Sequence, residues 1–218
     1  MIRPPERPSR RRPLIVAAGL AALAAVIAVV VLGMRDDSSG EDGASRRAEI
    51  PAGNLTKNPT FEDGTAGWDT FNSKIAVEAA EDAPDGANVV RVTMTRSGEA
   101  YSIDDDPDTV ESSVKGTSYS AAAWVKAADP SDEKPICIAI RERSSDGASV
   151  GYADGSVNPS ADAYVPVRTS HVAEGDGNRI DVFVFRDSPD LQEGDAFLVD
   201  AITMTEGSED RASAKCAK

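Results

Sequence analysis

Aromatic and charged side chains share one face of several predicted strands. In residues 179–186, Phe183 and Phe185 alternate with valines, so both rings share the face opposite the valines with Asp181. An aromatic ring can stack on the apolar face of a sugar, and charged groups beside it can bond the sugar hydroxyls. The same alternation places further residues on the outward faces of two other strands. The predicted ligand-binding set is Trp124, Phe183, Phe185, Arg141 and Asp181.

Other side chains carry weaker signals of chemistry. The acidic run 104–108 lacks the glycine and terminal glutamate of an EF-hand loop, which indicates a solvated loop. The one histidine, His171, falls in a predicted strand without a recognisable catalytic partner motif. Because the sequence has no nucleophile elbow, zinc motif or phosphate-binding loop, we predict no enzymatic activity. Further aromatic candidates for a binding site at a loop or strand edge are Trp68, Tyr101, Tyr152 and Tyr164.

Residues 14–34 contain no charged side chain and are rich in Ala, Val and Leu. At about 1.5 Å per residue, such a helix is long enough to span the ~30 Å apolar core of a bilayer. Five arginines and a single glutamate precede it, so the positive-inside rule places residues 1–13 in the cytoplasm. A cleaved secretory signal is the alternative, and under either interpretation the rest of the chain is extracellular.

The chain carries a formal net charge of −14, from 37 acidic and 23 basic residues. Because residues 1–13 are net positive, the exported part is still more acidic than the whole. Nucleic acid binding needs clustered Lys and Arg side chains facing phosphates, so we predict no nucleic acid partner. A strongly acidic domain favours solubility and attracts cations.

The composition changes again after the apolar segment. Residues 35–52 are rich in Ser, Gly and charge without an apolar period, which predicts a disordered linker. Residues 53–206 contain short alternating runs bounded by Gly, Pro, Asp and Asn, which indicate an all-β jelly roll or sandwich. A small, polar tail follows at 207–218. The predicted strands are 74–79, 88–95, 100–103, 118–127, 136–143, 164–172, 179–186 and 197–205.

Three motifs in this region resemble those of a known fold family. They are residues 54–68 (NLTKNPTFEDGTAGW), 116–127 (GTSYSAAAWVKA) and 196–204 (AFLVDAITM). Their order and spacing resemble carbohydrate-binding modules of the family 4/9/22 type, which have a galactose-binding-like jelly-roll β-sandwich. The resemblance implies a non-catalytic domain that binds a glycan on a sheet face or at edge loops. A structural or protein-interaction module on the same fold is the alternative, because aromatic residues are only 5% of the chain.

The same resemblance implies a structural calcium ion. In the resembled family, an acid after the Phe of the first motif and an Asp in the last strand bind Ca²⁺ across the sandwich edge. The matching residues here are Glu62 and Asp200, and carboxylate oxygens are the ligands that Ca²⁺ prefers. The family often has a second acid where this chain has Ala201, which would leave fewer ligands.

Cys137 and Cys216 are the two cysteines of the chain. Alternation with Ile136 and Ile138 points Cys137 away from the core. Outside the cell, two cysteines are usually paired, so we predict a disulfide between them. That bridge would bring the tail back across the outer sheet face and cover part of a site formed by Trp124 and Phe183.

Overall fold

Alternating apolar residues form ten β-strands in the described part of the chain. The computed structural model describes residues 47–98, 100–132, 134–207 and 212–216. β-Branched and aromatic residues at every second position favour strands, because they pack on one face of a pleated sheet. The strands are β1 (Trp68–Phe71), β2 (Ser73–Ala79), β3 (Asn88–Met94), β4 (Tyr101–Asp105), β5 (Ser118–Ala127), β6 (Ile136–Arg143), β7 (Ser149–Val157), β8 (Val165–Val172), β9 (Arg179–Arg186) and β10 (Ala196–Glu206).

The strands pair antiparallel in two five-stranded sheets, which confirms the predicted all-β sandwich. Sheet A has the order β1-β4-β9-β6-β7, and sheet B has the order β2-β3-β10-β5-β8. All eight predicted strands are present within one or two residues of their predicted ends. Two strands were not predicted: β1, which has only four residues, and β7, which contains two glycines. Both are edge strands, where apolar alternation is weakest because fewer neighbours bury the side chains.

The core lies between the inward faces of the two sheets. Cross-strand register pairs Ile138 of β6 with Val184 of β9, and both side chains are fully buried. Val125 of β5 and Val199 of β10 belong to the same buried cluster from the opposite sheet. Burial of each such side chain stabilises the fold by roughly 1.5–3 kcal/mol. The inward and outward assignments made from alternation in β5, β6 and β9 are confirmed.

Residues before the predicted boundary at 53 contact the domain. The Ala48 amide donates a hydrogen bond to the Pro84 carbonyl over 2.8 Å, and the Ala48 side chain is buried. Arg47 forms an ion pair with Asp85 at 3.2 Å. The last residues of the predicted linker, 47–52, therefore pack against the domain, because a backbone contact and an ion pair fix them there.

The tail closes one side of the sandwich and is tied down by the predicted disulfide. Cys137 and Cys216 are bonded, with their Cα atoms 6.1 Å apart. The Ser213 amide donates to the Arg168 carbonyl of β8 over 3.0 Å, and the Ser156 amide of β7 donates to the tail at residue 214. Residues 212–216 thus bridge the edge strands of both sheets, and the predicted pairing is confirmed.

The predicted membrane segment lies outside the described residues. Residues 1–13, 14–34 and 35–46 are not among them. In the part of the chain that the structure describes, no helix is long and apolar enough to cross a membrane.

Candidate functional site

Side chains on the outer face of sheet A line up in rows across the strands. Each row consists of cross-strand partners, and neighbouring rows are two residues apart along the strands. The first row is Asp69, Asp104, Phe183 and Ala139, from β1, β4, β9 and β6. The second row is Phe71, Ser102, Phe185 and Cys137 from the same strands.

These rows form the floor and walls of a cavity of about 570 Å³, called here the outer cavity. Phe183 and Phe185 lie in its floor, with ring centroids 5.2 Å apart. Phe71 stands at the rim with 54% of its surface exposed. The volume falls in the ~300–1,000 Å³ range of small-molecule sites. The lining residues are Asp69, Thr70, Phe71, Ala100, Ser102, Asp104, Asp105, Asp106, Asp108, Arg141, Arg143, Asp181, Phe183 and Phe185.

A buried carboxylate holds the two arginines of the outer cavity. Asp181 is only 3% exposed, and it accepts hydrogen bonds from Arg141 Nε at 3.1 Å and Nη2 at 2.5 Å. Arg143 Nη2 donates to the same carboxylate oxygen. The Arg141 guanidinium also lies 4.8 Å from the Phe183 ring centroid. Asp181 therefore positions Arg141 over the floor, while Arg141 itself is left partly exposed to a ligand.

The acidic run is more buried than the sequence analysis predicted. Asp104 and Asp105 belong to β4 and are half-buried, so the solvated-loop prediction is wrong for these two residues. Burial raises the pKa of Asp105 to about 7, although Thr109 donates two hydrogen bonds to its carboxylate. Burial likewise raises the pKa of Asp104. The cavity therefore contains carboxylates whose charged form is poorly solvated.

Trp124 lies on the opposite side of the sandwich. It points outward from β5 in sheet B, as alternation predicted, but Phe183 and Arg141 belong to sheet A. Trp124 instead lines a separate cavity of about 510 Å³ with Arg168 and Pro51. The five predicted ligand-binding residues are thus divided: four line the outer cavity, and Trp124 does not join them. The alternation of side chains along a strand predicts whether each one points inward or outward, but it does not predict which sheet contains the strand.

The remaining aromatic candidates also separate by burial. Trp68 and Tyr101 are in the core, so their assignment to a loop or edge site is wrong. Tyr152 of β7 is 45% exposed, and its ring centroid lies 6.4 Å from that of Phe183. Burial of the other half raises the pKa of Tyr152 to about 12. Tyr152 therefore extends the aromatic floor of sheet A towards the β7 edge. Tyr164, half-buried, lies beneath the Lys126 ammonium on the sheet B side.

Strand β1 contributes a wall of the outer cavity that the sequence pattern did not predict. Asp69 and Phe71 come from this short strand, and neither was singled out. The available signal was the alternation Trp68-Asp69-Thr70-Phe71, in which a buried Trp and a half-buried Thr flank an exposed Asp. The signal is weak because only four residues carry it.

His171 belongs to a structural cluster away from the outer cavity. Its Nε2 lies 2.7 Å from Glu142 Oε2, and both side chains are buried. Glu142 also accepts hydrogen bonds from Asn178 and from the amides of Glu174 and Gly175. Burial acts to raise the pKa of Glu142, but these hydrogen bonds hold that pKa below its usual range. The pair fastens β6 to β8 and the loop that follows.

Glu62 and Asp200 receive backbone donors from the same loop. Glu62 Oε1 accepts hydrogen bonds from the amides of Ala87 and Asn88, both at 2.9 Å. Asp200 Oδ2 accepts from the Asp85 amide, also at 2.9 Å. The loop between β2 and β3 therefore brings both predicted calcium ligands to one edge of the sandwich.

The electrostatics of this edge suit a hard cation. Asp200 is fully buried, and burial raises its pKa to about 7, with repulsion from Asp85 and Glu62 adding to the effect. Among the described residues no ion pair includes Asp200 or Glu62. The two side chains offer carboxylate oxygens, the ligand type that Ca²⁺ prefers, and each of these oxygens also accepts an N–H hydrogen bond.

Comparison with known proteins identifies the family. A family model described as carbohydrate binding domain (CBM_4_9) matches residues 53–189. The chain belongs to this family of carbohydrate binding domains. No curated protein sequence is significantly similar to the chain.

Solved structures of carbohydrate-binding modules share the jelly-roll fold of this carbohydrate binding domain. The xylan-binding CBM22-1 domain of Xyn10C from Paenibacillus barcinonensis has a TM-score of 0.54 and 18% identity, over 78% of this chain and 100% of that one. The CBM22-1–GH10 modules of Clostridium thermocellum endo-1,4-beta-D-xylanase 10B, complexed with xylohexaose, have a TM-score of 0.53 and 15% identity. The match covers 78% of this chain and 30% of that one.

A domain of another kind of protein has the same fold. The enzymatically active domain of bacteriophage CBA120 tailspike protein 4 has a TM-score of 0.52 and 12% identity, over 70% of this chain and 21% of that one. Identities this low show a shared fold alone.

Proposed function

We propose that the carbohydrate binding domain binds a glycan, without catalysis, in the outer cavity of sheet A. The observation that carries this is the pair of adjacent rings, Phe183 and Phe185, in the floor of a cavity bordered by charged side chains. A sugar ring stacked on Phe183 would have the Arg141 guanidinium beside it as a hydrogen-bond donor. Family membership supports a glycan as the ligand, because carbohydrate-binding modules are non-catalytic sugar-binding domains.

A glycan array probed with the full-length chain tests this proposal, and matched aromatic variants locate the site. Phe183→Ala is expected to weaken binding of any array ligand at least about tenfold, a loss of ~1.4 kcal/mol, because it removes the stacking surface. Trp124→Ala is the control, since Trp124 is an outward aromatic residue on the other sheet. Far-UV circular dichroism checks that both variants remain folded.

The outcomes of this experiment separate the candidate functions. Loss of binding in Trp124→Ala, with Phe183→Ala unaffected, would move the glycan site to sheet B. Absence of binding to every glycan on the array would favour the alternative, a structural or protein-interaction module that has the fold without a sugar site.

The proposal extends to the location of the domain. Residues 14–34 anchor the chain in the membrane as a single transmembrane helix, with residues 1–13 in the cytoplasm and the binding domain outside the cell. The arginines before the apolar run support this orientation. N-terminal sequencing of membrane-extracted protein is expected to begin at or near Met1. A mature start beyond Met34 would contradict an uncleaved anchor.

A structural Ca²⁺ at Glu62 and Asp200 completes the proposal. Support comes from the buried carboxylate of Asp200, which the exposed Glu62 repels and which a divalent cation would stabilise. Chelation is expected to lower the melting temperature of the wild type, because a ligand that binds only the folded state stabilises it. Glu62→Gln should make the melting temperature insensitive to Ca²⁺. Identical melting curves of the wild type with Ca²⁺ and with chelator would contradict the metal site.

A further inference from the structure

Two aspartates occupy directly opposed cross-strand positions on the wall of the outer cavity. Asp69 of β1 is the cross-strand partner of Asp104 of β4, and both line the cavity. Like charges in directly opposed positions destabilise a sheet. In the described part of the chain, the cavity arginines pair with Asp181 and Asp108, and no ion pair includes Asp69 or Asp104. The fold thus maintains an unbalanced negative pair beside an open cavity.

The lining as a whole has the same sign. Six aspartates and two arginines line the outer cavity. Arg141 and Arg143 are already engaged by the buried carboxylate of Asp181, and Arg143 also pairs with Asp108, so their charge is largely offset within the wall. Burial raises the pKa of Asp104, with repulsion from Asp181 and Asp69 adding to the effect, while the Ser102 hydroxyl and the charge of Arg141 oppose it. Because the net shift is upward, Arg141 compensates this carboxylate only in part, and a positive charge on the ligand would add to the compensation.

The acidic pair is beside the stacking surface and not at a distance from it. Asp104 is the register partner of Phe183, so Asp69, Asp104 and Phe183 stand side by side in one row. Equatorial substituents of a pyranose point sideways from the ring. A sugar stacked on Phe183 would therefore direct an equatorial group on one side towards the two carboxylates, and stacking and a charge-assisted hydrogen bond can form together.

We infer that the outer cavity selects glycans carrying free amino groups, such as β-1,4-linked glucosamine chains, over neutral and acidic glycans. The inference rests on the proposed function, since it names the glycan class for the same cavity. Two independent features carry it: the ring floor, which binds a sugar face, and the unpaired Asp69–Asp104 wall, which binds an ammonium group.

The same wall acts against uronic acid chains. A sugar carboxylate stacked on Phe183 would meet Asp69 and Asp104, and repulsion of like charges in a partly desolvated site lowers affinity. Asp181 offsets part of the charge of Arg141 and Arg143, so the arginines attract that carboxylate less strongly than unpaired arginines would. A neutral sugar forms hydrogen bonds to the wall but leaves the repulsion between the two aspartates in place.

A matched series of hexasaccharides tests this inference with the full-length chain. Cellohexaose, the glucosamine hexamer, the N-acetylglucosamine hexamer and a C6-oxidised cellohexaose share one β-1,4 backbone and differ in the charge and size of one substituent. Calorimetry near 0.15 M salt screens attraction to distant charges. The glucosamine hexamer is expected to bind about tenfold more tightly than cellohexaose, and the oxidised oligomer more weakly than cellohexaose.

Matched charge variants separate the wall from the general acidity of the chain. The double variant Asp69→Asn, Asp104→Asn is expected to reduce the tenfold preference for the amino sugar to about twofold or less. The control, Asp162→Asn with Asp190→Asn, removes the same charge from exposed residues outside the cavity and should retain the preference. An equal loss of the preference for the amino sugar in both double variants would mean that Asp69 and Asp104 do not select the ligand, and it would overturn the inference.

The remaining outcomes are equally decisive. Cellohexaose or the oxidised oligomer binding as tightly as the glucosamine hexamer would overturn the amino-sugar inference while leaving glycan binding in place. Absence of binding for the whole matched series would also overturn it. The glycan array and the Phe183→Ala variant then decide separately whether the cavity binds any glycan.

Discussion

Removal of the Cys137–Cys216 disulfide is expected to lower the free energy of unfolding by up to about 4.5 kcal/mol. The two cysteines are separated by 79 residues, so the bond closes a long loop in the unfolded chain. The chain-entropy relation gives ~4.5 kcal/mol for a loop of this length at 25 °C. The figure is an upper value, because residual structure in the denatured chain reduces the entropy that the bond removes.

Urea unfolding measures this loss directly. With a slope of about 2 kcal/mol per molar urea, the midpoint should fall by roughly 2 M in the double variant Cys137→Ala, Cys216→Ala. Fluorescence reports the transition, because Trp68 is buried in the core and becomes exposed on unfolding. The wild type in reducing buffer keeps both sulfur atoms but loses the bond. Its urea midpoint should therefore lie close to that of the double variant, and the difference between the two midpoints measures the packing lost with the sulfur atoms.

The tail offers a second readout of the same perturbation. Few backbone hydrogen bonds hold residues 212–216, among them those joining Ser213 to Arg168 and Ser156 to the tail. Without the disulfide, the Ser213 and Ser156 amides are expected to exchange with solvent faster than amides of the core strands. A midpoint within about 0.5 M of the oxidised wild type, with Ser213 still protected, would refute the view that the bond stabilises the domain by restricting the unfolded chain and holding the tail.

Three further predictions concern buried polar groups and a close backbone contact. Glu142→Gln is expected to lower the free energy of unfolding by about 3 kcal/mol in urea titrations, because the amide replaces a buried acceptor that His171 and backbone amides share. The folded pKa of Asp105, about 7, lies above its unfolded value of ~3.9, so its stabilising contribution is full below pH ~4 and is lost as pH rises through ~7. Asp105→Asn should remove this falling component from a profile of melting temperature against pH. Gly155→Ala is expected to cost about 2 kcal/mol in thermal unfolding, because a Cβ there would lie 2.0 Å from the Arg168 carbonyl oxygen.

Matched controls and contrary outcomes are available for each of the three. Glu81→Gln makes the same chemical change at an exposed residue, and equal stability of the two glutamine variants would contradict the role of Glu142. Superimposable pH profiles of wild type and Asp105→Asn would show that this carboxylate titrates normally. An unchanged melting temperature for Gly155→Ala would mean that β7 and β8 can separate without cost.

Local patterns in the sequence predicted the sandwich and the direction of its side chains. Eight of the ten strands and the opposite orientations of Ile138 and Cys137 follow from period-two alternation, which depends only on neighbouring residues. The disulfide also followed from local reasoning, because an outward Cys137 and a cysteine near the chain end have few other partners. The motif at 54–68 and its companions indicated the family, and the family model confirmed it.

Edge elements and ordered termini were harder to predict, since their stability comes from distant contacts. Strand β1 has four residues and gains its place by pairing with β4. Residues 47–52 have the composition of a linker, yet Ala48 is buried and bonded to Pro84. In both cases a partner remote in sequence supplies the hydrogen bonds that the segment itself lacks.

The sequence by itself determined which side chains point outward, and the tertiary structure decided which of them meet. Trp124 and Phe183 both point outward from their strands, but β5 pairs in sheet B and β9 in sheet A, so the two rings lie on opposite sides of the molecule. The Asp69–Asp104 wall likewise exists only because β1 pairs with β4 in one particular register. Alternation is a property of adjacent residues, whereas sheet order and register arise from packing between segments far apart in the chain.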